Sequence, residues 1–167
     1  KTREIPYLPE GQKVATIETN KGAIKIELWE DKAPNTVRNF VYLANSGRYD
    51  GVEFHRVIDG FMAQTGDVEH SGGYGGPGYM IPAECDEELK HERGVVSMAR
   101  SQDPDAAGSQ FFIMLADAGH LDGQYAAFGK VIEGMDVVDS IKKGDRAQNG
   151  KVEDPDVMEK VRVETVE

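Results

Sequence analysis

Short segments with alternating apolar and polar residues follow one another along this chain, and only two segments have helical spacing. Alternation with a period of two is typical of strands, whereas apolar residues every three to four positions indicate a helix. Parallel α/β folds need a helix between most successive strands, and two helices are too few for that. The pattern therefore predicts a mainly β antiparallel barrel or sandwich, in a single domain of 167 residues.

Turn residues separate the predicted elements. Asn20-Lys21-Gly22 lies between two alternating runs and predicts a hairpin turn. Pro34 suits the first turn of a helix, and Asn45-Ser46-Gly47 is expected to end it. Strands are predicted within 14–28 (two strands), 52–58, 61–66, 95–100, 109–115, 126–132 and 157–166, and helices within 33–47 and 134–144.

Charge and cysteine content narrow the function and the location. The net charge of −11 disfavours a nucleic-acid backbone or an anionic membrane surface as a direct partner. The single cysteine, Cys85, leaves no intrachain disulfide and predicts a cytoplasmic protein. Residues 1–12 are predicted to be a polar N-terminal extension without the apolar core of a signal peptide, and the start at Lys1 indicates a trimmed or processed form.

The stretch VEFHRVIDGFMAQTGD, residues 52–67, contains an arginine where alternation predicts an apolar residue. If 52–58 is one strand, Val52, Phe54 and Ile58 share a face, and Arg56 lies between them on that face. Burying an unpaired cation costs several kcal/mol or more. Arg56 is therefore expected to be paired, to reach solvent with its charged end, or to act on a ligand.

The strand SQFFIML, residues 109–115, is apolar on both faces, which predicts that both faces are covered. Long polar side chains interrupt the apolar faces of this strand and its expected neighbours. An apolar pocket with a few convergent polar groups is typical of a small-molecule or peptide site. A purely structural alternative, in which the polar groups satisfy one another and the loop backbone, remains open. The residues concerned are Arg56, Phe61, Met62, Gln64, Gln110 and Phe112.

Other chemistries have weaker support. Ser109, His55 and Asp67 suggest a hydrolase triad, but GSQ is not a Gly-x-Ser-x-Gly elbow, and alternation places His55 on the face opposite Arg56. The four histidines stand singly, without a Cys-x-x-Cys or His-Glu-x-x-His motif, so no metal site is predicted. The glycine-rich SGGYGGPG, residues 71–78, lacks the Lys-Ser/Thr of a phosphate-binding loop and predicts a tight surface loop.

Several long motifs occur in a fixed order: FHRVIDGFMAQTGD, the glycine-rich loop, GVVSMAR, GSQFFI and LDGQYAAFGKV. In this order they resemble the cyclophilin family of peptidyl-prolyl cis-trans isomerases. The resemblance runs from about Val14 to the final strand, and PAE at 82–84 is similar to bacterial members. It implies a closed eight-stranded antiparallel β-barrel capped by two α-helices, with the active groove on the outside of the barrel.

The same resemblance implies rotation about Xaa-Pro bonds without a covalent step or a cofactor. It implies that Arg56, in the FHR triplet, is the catalytic residue. Proline-containing peptides and unfolded proteins are the implied partners, and a monomer is expected. The residues implied to bind substrate are His55, Phe61, Met62, Gln64, Gly73, Ala99, Arg100, Gln110, Phe112, His120, Leu121 and Tyr125.

Three positions depart from the family pattern. His120 stands where many members have tryptophan, which is associated with tight cyclosporin binding, so cyclosporin is expected to bind with reduced affinity. Ala99-Arg100-Ser101 stands where many members have Ala-Asn-Ala, which is expected to alter specificity more than rate. Tyr125 replaces a common histidine at the pocket rim, which is expected to be a milder change. A proline-peptide binding module with little turnover is the alternative function, and the retained Arg56 argues against it.

Overall fold

The computed structural model describes residues 11–71, 73, 75–81, 84–100 and 108–166. Within them, nine antiparallel strands form one sheet in the order β3-β9-β1-β2-β8-β6-β7-β5-β4, accompanied by two α-helices. The mainly β antiparallel fold predicted from the sequence is confirmed. The elements are β1 (Gln12–Thr19), β2 (Gly22–Leu28), α1 (Pro34–Asn45), β3 (Val52–Glu53), β4 (Arg56–Ile58), β5 (Met62–Thr65), β6 (Val95–Met98), β7 (Phe111–Met114), β8 (Ala127–Glu133), α2 (Met135–Ser140) and β9 (Val157–Val166).

The sheet curls so that its two edge strands come from one short segment of the chain. The edge strands β3 and β4 are separated only by Phe54 and His55. The backbone N–H of Phe54 donates to the carbonyl of Asp156, and that of Val57 donates to the carbonyl of Gly150, each at 2.9 Å. The single strand predicted at 52–58 is therefore two short strands, which raises the number from the implied eight to nine.

The break in this segment also changes which residues share a face. Phe54 and Val57 are both fully buried in the main core, although they are three positions apart. Arg56 and Ile58 consequently lie on the opposite, outer face of the sheet, and Ile58 packs in a separate apolar cluster. The predicted apolar row of Val52, Phe54 and Ile58 around Arg56 is wrong, because strand pairing stops after β3 and restarts on β4 with the opposite phase.

Both faces of β7 are covered, as predicted. Phe111 and Ile113 point into the main core, where Phe40 of α1 packs edge-on against Phe111 at 5.3 Å between ring centroids. Phe112 and Met114 point the other way, into a smaller outer cluster formed with residues of β4, β5, β6 and β8. The strict alternation of a regular strand therefore places one aromatic ring in the main core and the next at the outer surface.

The first turn of α1 is capped by a distant carboxylate. Ala33 provides no side-chain cap, and Glu84 instead accepts hydrogen bonds from the backbone N–H of Asn35 at 3.2 Å and of Thr36 at 2.6 Å. This satisfies helix N–H groups that have no partner inside the helix and places a negative charge at its N-terminus. No helix among the described residues is long and apolar enough to cross a membrane.

Three predicted features lie wholly or partly beyond the described residues, and one of them is the glycine-rich loop 71–78, of which positions 72 and 74 are not described. The predicted N-terminal extension is outside them up to residue 10, and Gln12 already belongs to β1. Of the PAE segment at 82–84, only Glu84 is described.

Candidate active site

Four residues form a row across the outer part of the sheet. Arg56 on β4 pairs with Gln64 on β5, and Gln64 pairs with Phe112 on β7. Phe112 in turn pairs with Ser97 on β6. Directly paired residues point to the same side of a sheet, so the strand register alone brings Arg56 beside Gln64 and Phe112. The sheet thus places a cation, an amide and an aromatic ring side by side on one face.

The guanidinium of Arg56 is held by three hydrogen bonds. Its Nε donates to the backbone carbonyl of Asn149 at 2.8 Å, its Nη2 to Asn149 Oδ1 at 3.0 Å, and its Nη1 to Gln64 Oε1 at 3.1 Å. A guanidinium has five N–H donors in one plane, so two of them have no partner among the described residues. No described carboxylate lies within salt-bridge distance of Arg56. Neutral acceptors therefore orient a full positive charge and leave two donors for a ligand.

Asn149 is a functional residue that the sequence analysis missed. It has a φ of 59° and follows a short 3-10 turn at Arg146–Gln148. Asparagine tolerates this left-handed backbone conformation better than most residues, and the conformation turns its carbonyl and side chain toward Arg56. The pair Asn149-Gly150 does signal a turn in the sequence. Nothing in the sequence links that turn to a residue 93 positions away.

The environment of Arg56 changes its proton affinity without removing its charge. Burial lowers the pKa of Arg56 from its usual value, and the nearby Tyr125 opposes this effect. The usual pKa of an arginine is so high that a lowered one still leaves the guanidinium protonated at neutral pH. Arg56 is therefore available as a hydrogen-bond donor and unavailable as a base.

Two glutamine side chains continue the polar contacts away from Arg56. Gln64 Nε2 donates to Gln110 Oε1 at 3.0 Å. Gln110 Nε2 donates to the backbone carbonyls of Gly73 at 3.0 Å and Gly75 at 2.8 Å. The structural alternative considered for these polar residues is thus present: they satisfy one another and the loop backbone. Gln64 and Gln110 also line cavities, so the structural interpretation and the binding-site interpretation are compatible.

A cavity of about 360 Å³ with both polar and apolar walls opens beside Arg56. A second cavity of about 400 Å³ adjoins it along the glycine-rich loop, and Gln64, Ala99 and Arg100 contribute to both. The two cavities share these three lining residues, and together, as the outer cleft, they offer more room than a single side chain needs. The first cavity is lined by Arg56, Phe61, Met62, Gln64, Ala99, Arg100, Phe112, His120, Leu121 and Tyr125.

Aromatic contacts build the rim of the first cavity. The ring of Tyr125 stands edge-on to Phe112 at 5.7 Å between centroids, and the guanidinium carbon of Arg100 lies 4.7 Å above the Tyr125 ring. On the other side, Phe61 stacks on His120 at 6.0 Å. Arg100 and Tyr125 depart from the common family residues, and here they contact each other. Stacking of a cation on an aromatic face stabilises this arrangement.

A buried histidine supports the cavity floor from below. His91 is 1 % exposed, and its ring stacks under Phe112 at 6.2 Å between centroids. Its Nδ1 lies 3.1 Å from Asp122 Oδ1, and its Nε2 lies 3.0 Å from Ser97 Oγ. Burial lowers the pKa of His91, and the hydrogen bond and charge of Asp122 oppose this effect. His91 is therefore a neutral, doubly hydrogen-bonded support for the ring of Phe112.

This histidine makes stability depend on pH. Because the pKa of His91 is lower in the folded protein than in the unfolded chain, the unfolded chain takes up the proton first as the pH falls below about 6.5. The free energy of unfolding is therefore expected to decrease from pH 6.5 down to the pKa of the folded state. His55, whose pKa burial also lowers, acts in the same direction. Denaturant unfolding at several pH values should show a smaller decrease for His91→Gln than for the unchanged protein. An equal decrease in both would contradict this role of His91.

Three predicted substrate-binding residues lie beside the first cavity rather than on its wall. Gly73 and Gln110 line the adjoining cavity. His55 is 9 % exposed and lines neither cavity; a Cβ at Gly73 would lie 2.9 Å from its Nε2. Together with a φ of 106°, this close approach explains a glycine at position 73. His55 therefore lies beneath the loop that carries Gly73.

The hydrolase alternative finds no geometry to support it. Ser109 is fully buried, and its hydroxyl donates to the carbonyl of Gly66 at 2.6 Å. The carboxylate of Asp67 accepts hydrogen bonds from the glycine-rich loop. His55 Nδ1 has no hydrogen-bond partner in the part of the chain that the structure describes. Ser109 and Asp67 are thus engaged with other groups, neither is hydrogen-bonded to His55, and no nucleophile–base pair forms.

The fold and the site together define a class of protein: an antiparallel barrel-like sheet that carries an arginine donor beside a cleft with polar and apolar walls on its outer face. The model of a family described as cyclophilin type peptidyl-prolyl cis-trans isomerase/CLD matches residues 14–163. The chain belongs to this cyclophilin family. It is accordingly an isomerase, which catalyses cis-trans isomerisation of peptidyl-prolyl bonds.

Bacterial relatives of this chain have the same activity in their names. A probable peptidyl-prolyl cis-trans isomerase of Brucella suis is 49% identical over 154 residues, which cover 86% of this chain and 78% of the relative. A peptidyl-prolyl cis-trans isomerase of Helicobacter pylori is 50% identical over 134 residues, covering 78% of this chain and 81% of the relative. The predicted family and activity are confirmed.

Solved structures agree with the fold. A cyclophilin type peptidyl-prolyl cis-trans isomerase of Cryptosporidium parvum superposes with a TM-score of 0.84 at 32% identity, covering 93% of this chain and 99% of the other. A structure described as the same isomerase in the presence of the dipeptide Ala-Pro gives a TM-score of 0.83 at 34% identity, with 92% and 99% covered. The curled antiparallel sheet with two helices is thus the cyclophilin fold.

Proposed function

We propose that the outer cleft binds an Xaa-Pro segment with the proline ring in the 360 Å³ cavity and with Arg56 donating a hydrogen bond to the prolyl nitrogen. The observation that carries this proposal is the pair of Arg56 N–H groups that the described residues leave without a partner, beside a cavity that is lined in part by apolar side chains. In this arrangement Phe61, Met62, Phe112 and Leu121 grip the ring.

The chemistry of the reaction favours such a donor. A peptide bond resists rotation by about 18–20 kcal/mol because the nitrogen lone pair is delocalised into the carbonyl. When the amide twists, the lone pair returns to the nitrogen, which becomes pyramidal and more basic. A donor aimed at this nitrogen therefore binds the twisted amide better than either planar isomer, which lowers the barrier.

Arg56 and the cavity are each expected to contribute part of the decrease in activation free energy. Uncatalysed exchange takes about 10–100 s, and an acceleration of about 10⁴–10⁵ to milliseconds requires roughly 5.5–7 kcal/mol. One positioned donor contributes about 3–4 kcal/mol. The remainder is assigned to the cavity, which orients the ring and removes water that would stabilise the planar, dipolar amide.

The length of the cleft supports proline-containing peptides and unfolded chains as substrates. The adjoining 400 Å³ cavity can receive residues that precede the proline, and its walls include Gln64, Ala99, Arg100 and Gln110. His55 supports the loop at Gly73. The similar Cryptosporidium parvum enzyme, whose structure is described in the presence of Ala-Pro, supports a dipeptide unit as the minimum ligand.

A refolding experiment tests this function on a protein substrate. The refolding of some protein molecules is slow because a prolyl bond with the wrong isomer must isomerise first. The rate of this slow phase should increase in proportion to the concentration of this chain, because the isomerase catalyses the limiting step. A fast folding phase in the same experiment serves as the internal control and should not change. Binding of the unfolded protein without acceleration would instead indicate a recognition module.

Cyclosporin is expected to bind this chain weakly, because His120 stands at the rim position where many family members have tryptophan. His120→Trp should tighten cyclosporin binding by about tenfold, which is 1.4 kcal/mol, or roughly 55 Å² of additional buried apolar surface. Calorimetric titration of both proteins measures the two dissociation constants. Equal constants would contradict a role of position 120 in this affinity.

A monomer and a cytoplasmic location complete the proposal, the second supported by the single cysteine, Cys85. Size-exclusion chromatography with light scattering tests the first, and fractionation of the source cells tests the second.

A further inference from the structure

The carboxylate of Asp67, buried outside the cleft, accepts hydrogen bonds from several groups of the segment that follows it. Asp67 is 3 % exposed and lines neither cavity. Its Oδ2 accepts hydrogen bonds from Ser71 N at 3.0 Å, Ser71 Oγ at 2.8 Å and Gly73 N at 2.8 Å, and its Oδ1 accepts one from Glu69 N at 3.0 Å. One side chain thus fixes the backbone of the glycine-rich loop at several points.

The loop fixed by Asp67 presents two acceptors to the cleft. The carbonyls of Gly73 and Gly75 both accept from Gln110 Nε2. Carbonyls can only accept, so the amide of Gln110 must turn its nitrogen toward the loop and its oxygen toward Gln64. The loop therefore determines which way the Gln110 amide points.

The same reasoning extends to Arg56. With Gln110 Oε1 facing it, the amide of Gln64 must donate through Nε2, which leaves Gln64 Oε1 pointing at Arg56 Nη1. If the loop carbonyls turned away, the amide of Gln110 would be free to flip, and its N–H would then compete with Arg56 Nη1 for Gln64 Oε1. The orientation of Arg56 thus depends on acceptors 17 and 19 positions along the chain.

We propose that Asp67 is a positioning residue for Arg56, acting through the Gly73 and Gly75 carbonyls and the two glutamines. The inference rests on the proposed donor role of Arg56. Asp67 does not touch the substrate in this arrangement. Burial alone would raise the pKa of Asp67, but the hydrogen bonds from Gly73, Ser71 and the neighbouring backbone outweigh it, so the pKa lies below its usual value. Both oxygens of the ionised carboxylate are then acceptors at neutral pH.

Two variants disturb this contact in different ways. Asp67→Asn puts an amide nitrogen against a backbone N–H on one side or the other, because donors approach both oxygens. Gly75→Ala keeps the carboxylate but inserts a Cβ 2.3 Å from Asp67 Oδ1. Asp50→Asn is the matched control: Asp50 also has a lowered pKa and also accepts from a backbone N–H, that of Val161 at 3.2 Å, but it lines neither cavity.

The test is a double-mutant cycle with Gln64→Ala, which removes the connection between the loop and Arg56. Asp67→Asn should lower kcat/KM for an Xaa-Pro peptide by about tenfold, mostly in kcat, when Gln64 is present, and by less than about twofold when it is absent. Gly75→Ala should show the same dependence on Gln64, and Asp50→Asn should change kcat/KM by less than about twofold in both backgrounds. Thermal unfolding provides the folded fraction; if Asp67→Asn does not fold, the Gly75→Ala cycle decides.

An equal loss in both backgrounds would overturn the proposal, and so would no loss in either background if Arg56→Ala does lose activity. Side-chain NMR signals separate its failure from failure of the proposed function. If Asp67→Asn shifts the Arg56 Nε–H and glutamine amide signals while Arg56→Ala leaves kcat/KM unchanged, the positioning link stands and the donor role fails. If those signals do not move, the positioning link fails whatever the activity of Arg56→Ala.

Discussion

Replacing Arg56 by alanine is expected to lower kcat/KM by about 10²–10³, which corresponds to one lost transition-state contact of about 3–4 kcal/mol. The loss should fall mainly on kcat, because the walls that grip the proline ring remain in place and continue to bind the planar substrate. Steady-state assays on an Xaa-Pro peptide, corrected for the folded fraction, measure both parameters. A change of less than about twofold would remove Arg56 from the chemistry and leave it a structural role.

Arg56→Lys separates the charge of this residue from its geometry. Lysine keeps the positive charge but offers one ammonium group in place of a planar fork. It cannot contact the carbonyl and side chain of Asn149 and Gln64 Oε1 while also directing a donor at the substrate. We therefore expect lysine to recover less than about tenfold of the activity lost in the alanine variant. Nearly full recovery would show that charge alone suffices.

Replacing Phe112 by alanine is expected to damage stability and catalysis together. Phe112 is 4 % exposed and packs between Tyr125 and His91, so its removal should lower the free energy of unfolding by about 3–5 kcal/mol. In the proposed arrangement it also forms one wall for the proline ring, whose three methylene groups gain roughly 2.4 kcal/mol when fully buried. A loss of about tenfold in kcat/KM per folded molecule is expected, since other walls remain. Denaturant unfolding and peptide kinetics measure the two effects.

Phe128→Ala is the matched control for this experiment. Phe128 is also fully buried, but it points into the main core against Phe40 and Phe111. Its loss should lower stability by a similar 3–5 kcal/mol and leave kcat/KM per folded molecule within about twofold. Equal catalytic losses in both variants would mean that general loosening of the sheet, rather than the missing wall, reduces the activity.

Regular alternation is what made much of the site predictable. The residues at 109–115 alternate without interruption, so placing Phe112 on one face and Phe111 on the other followed from the period of a strand alone. The 52–58 segment has the same appearance in the sequence, yet its pairing changes partners from β9 to β5 at Phe54-His55. Apolar periodicity reports burial and not pairing, so it cannot reveal a point where a strand leaves one neighbour and joins another.

Polar contacts between residues far apart in the chain could not be predicted from the sequence. Asn149, Glu84 and Asp67 act on a guanidinium, a helix end and a loop backbone, and each lies in an irregular segment without periodicity. Their side chains are common in exposed turns, so their composition carries no sign of a specific partner. The family resemblance supplied the residues that are proposed to touch substrate, but the groups that orient those residues required the fold.

Exchange spectroscopy by NMR on an Xaa-Pro peptide tests the central claim most directly, because it measures cis-trans exchange at equilibrium without a coupled reaction. The unchanged protein and Arg56→Ala are compared at concentrations that bind the same fraction of peptide. The proposed mechanism predicts fast exchange with the unchanged protein and exchange slower by about 10² or more with the variant. Equal exchange rates in both samples would contradict the donor role of Arg56, and binding without exchange in both would contradict catalysis by this cleft.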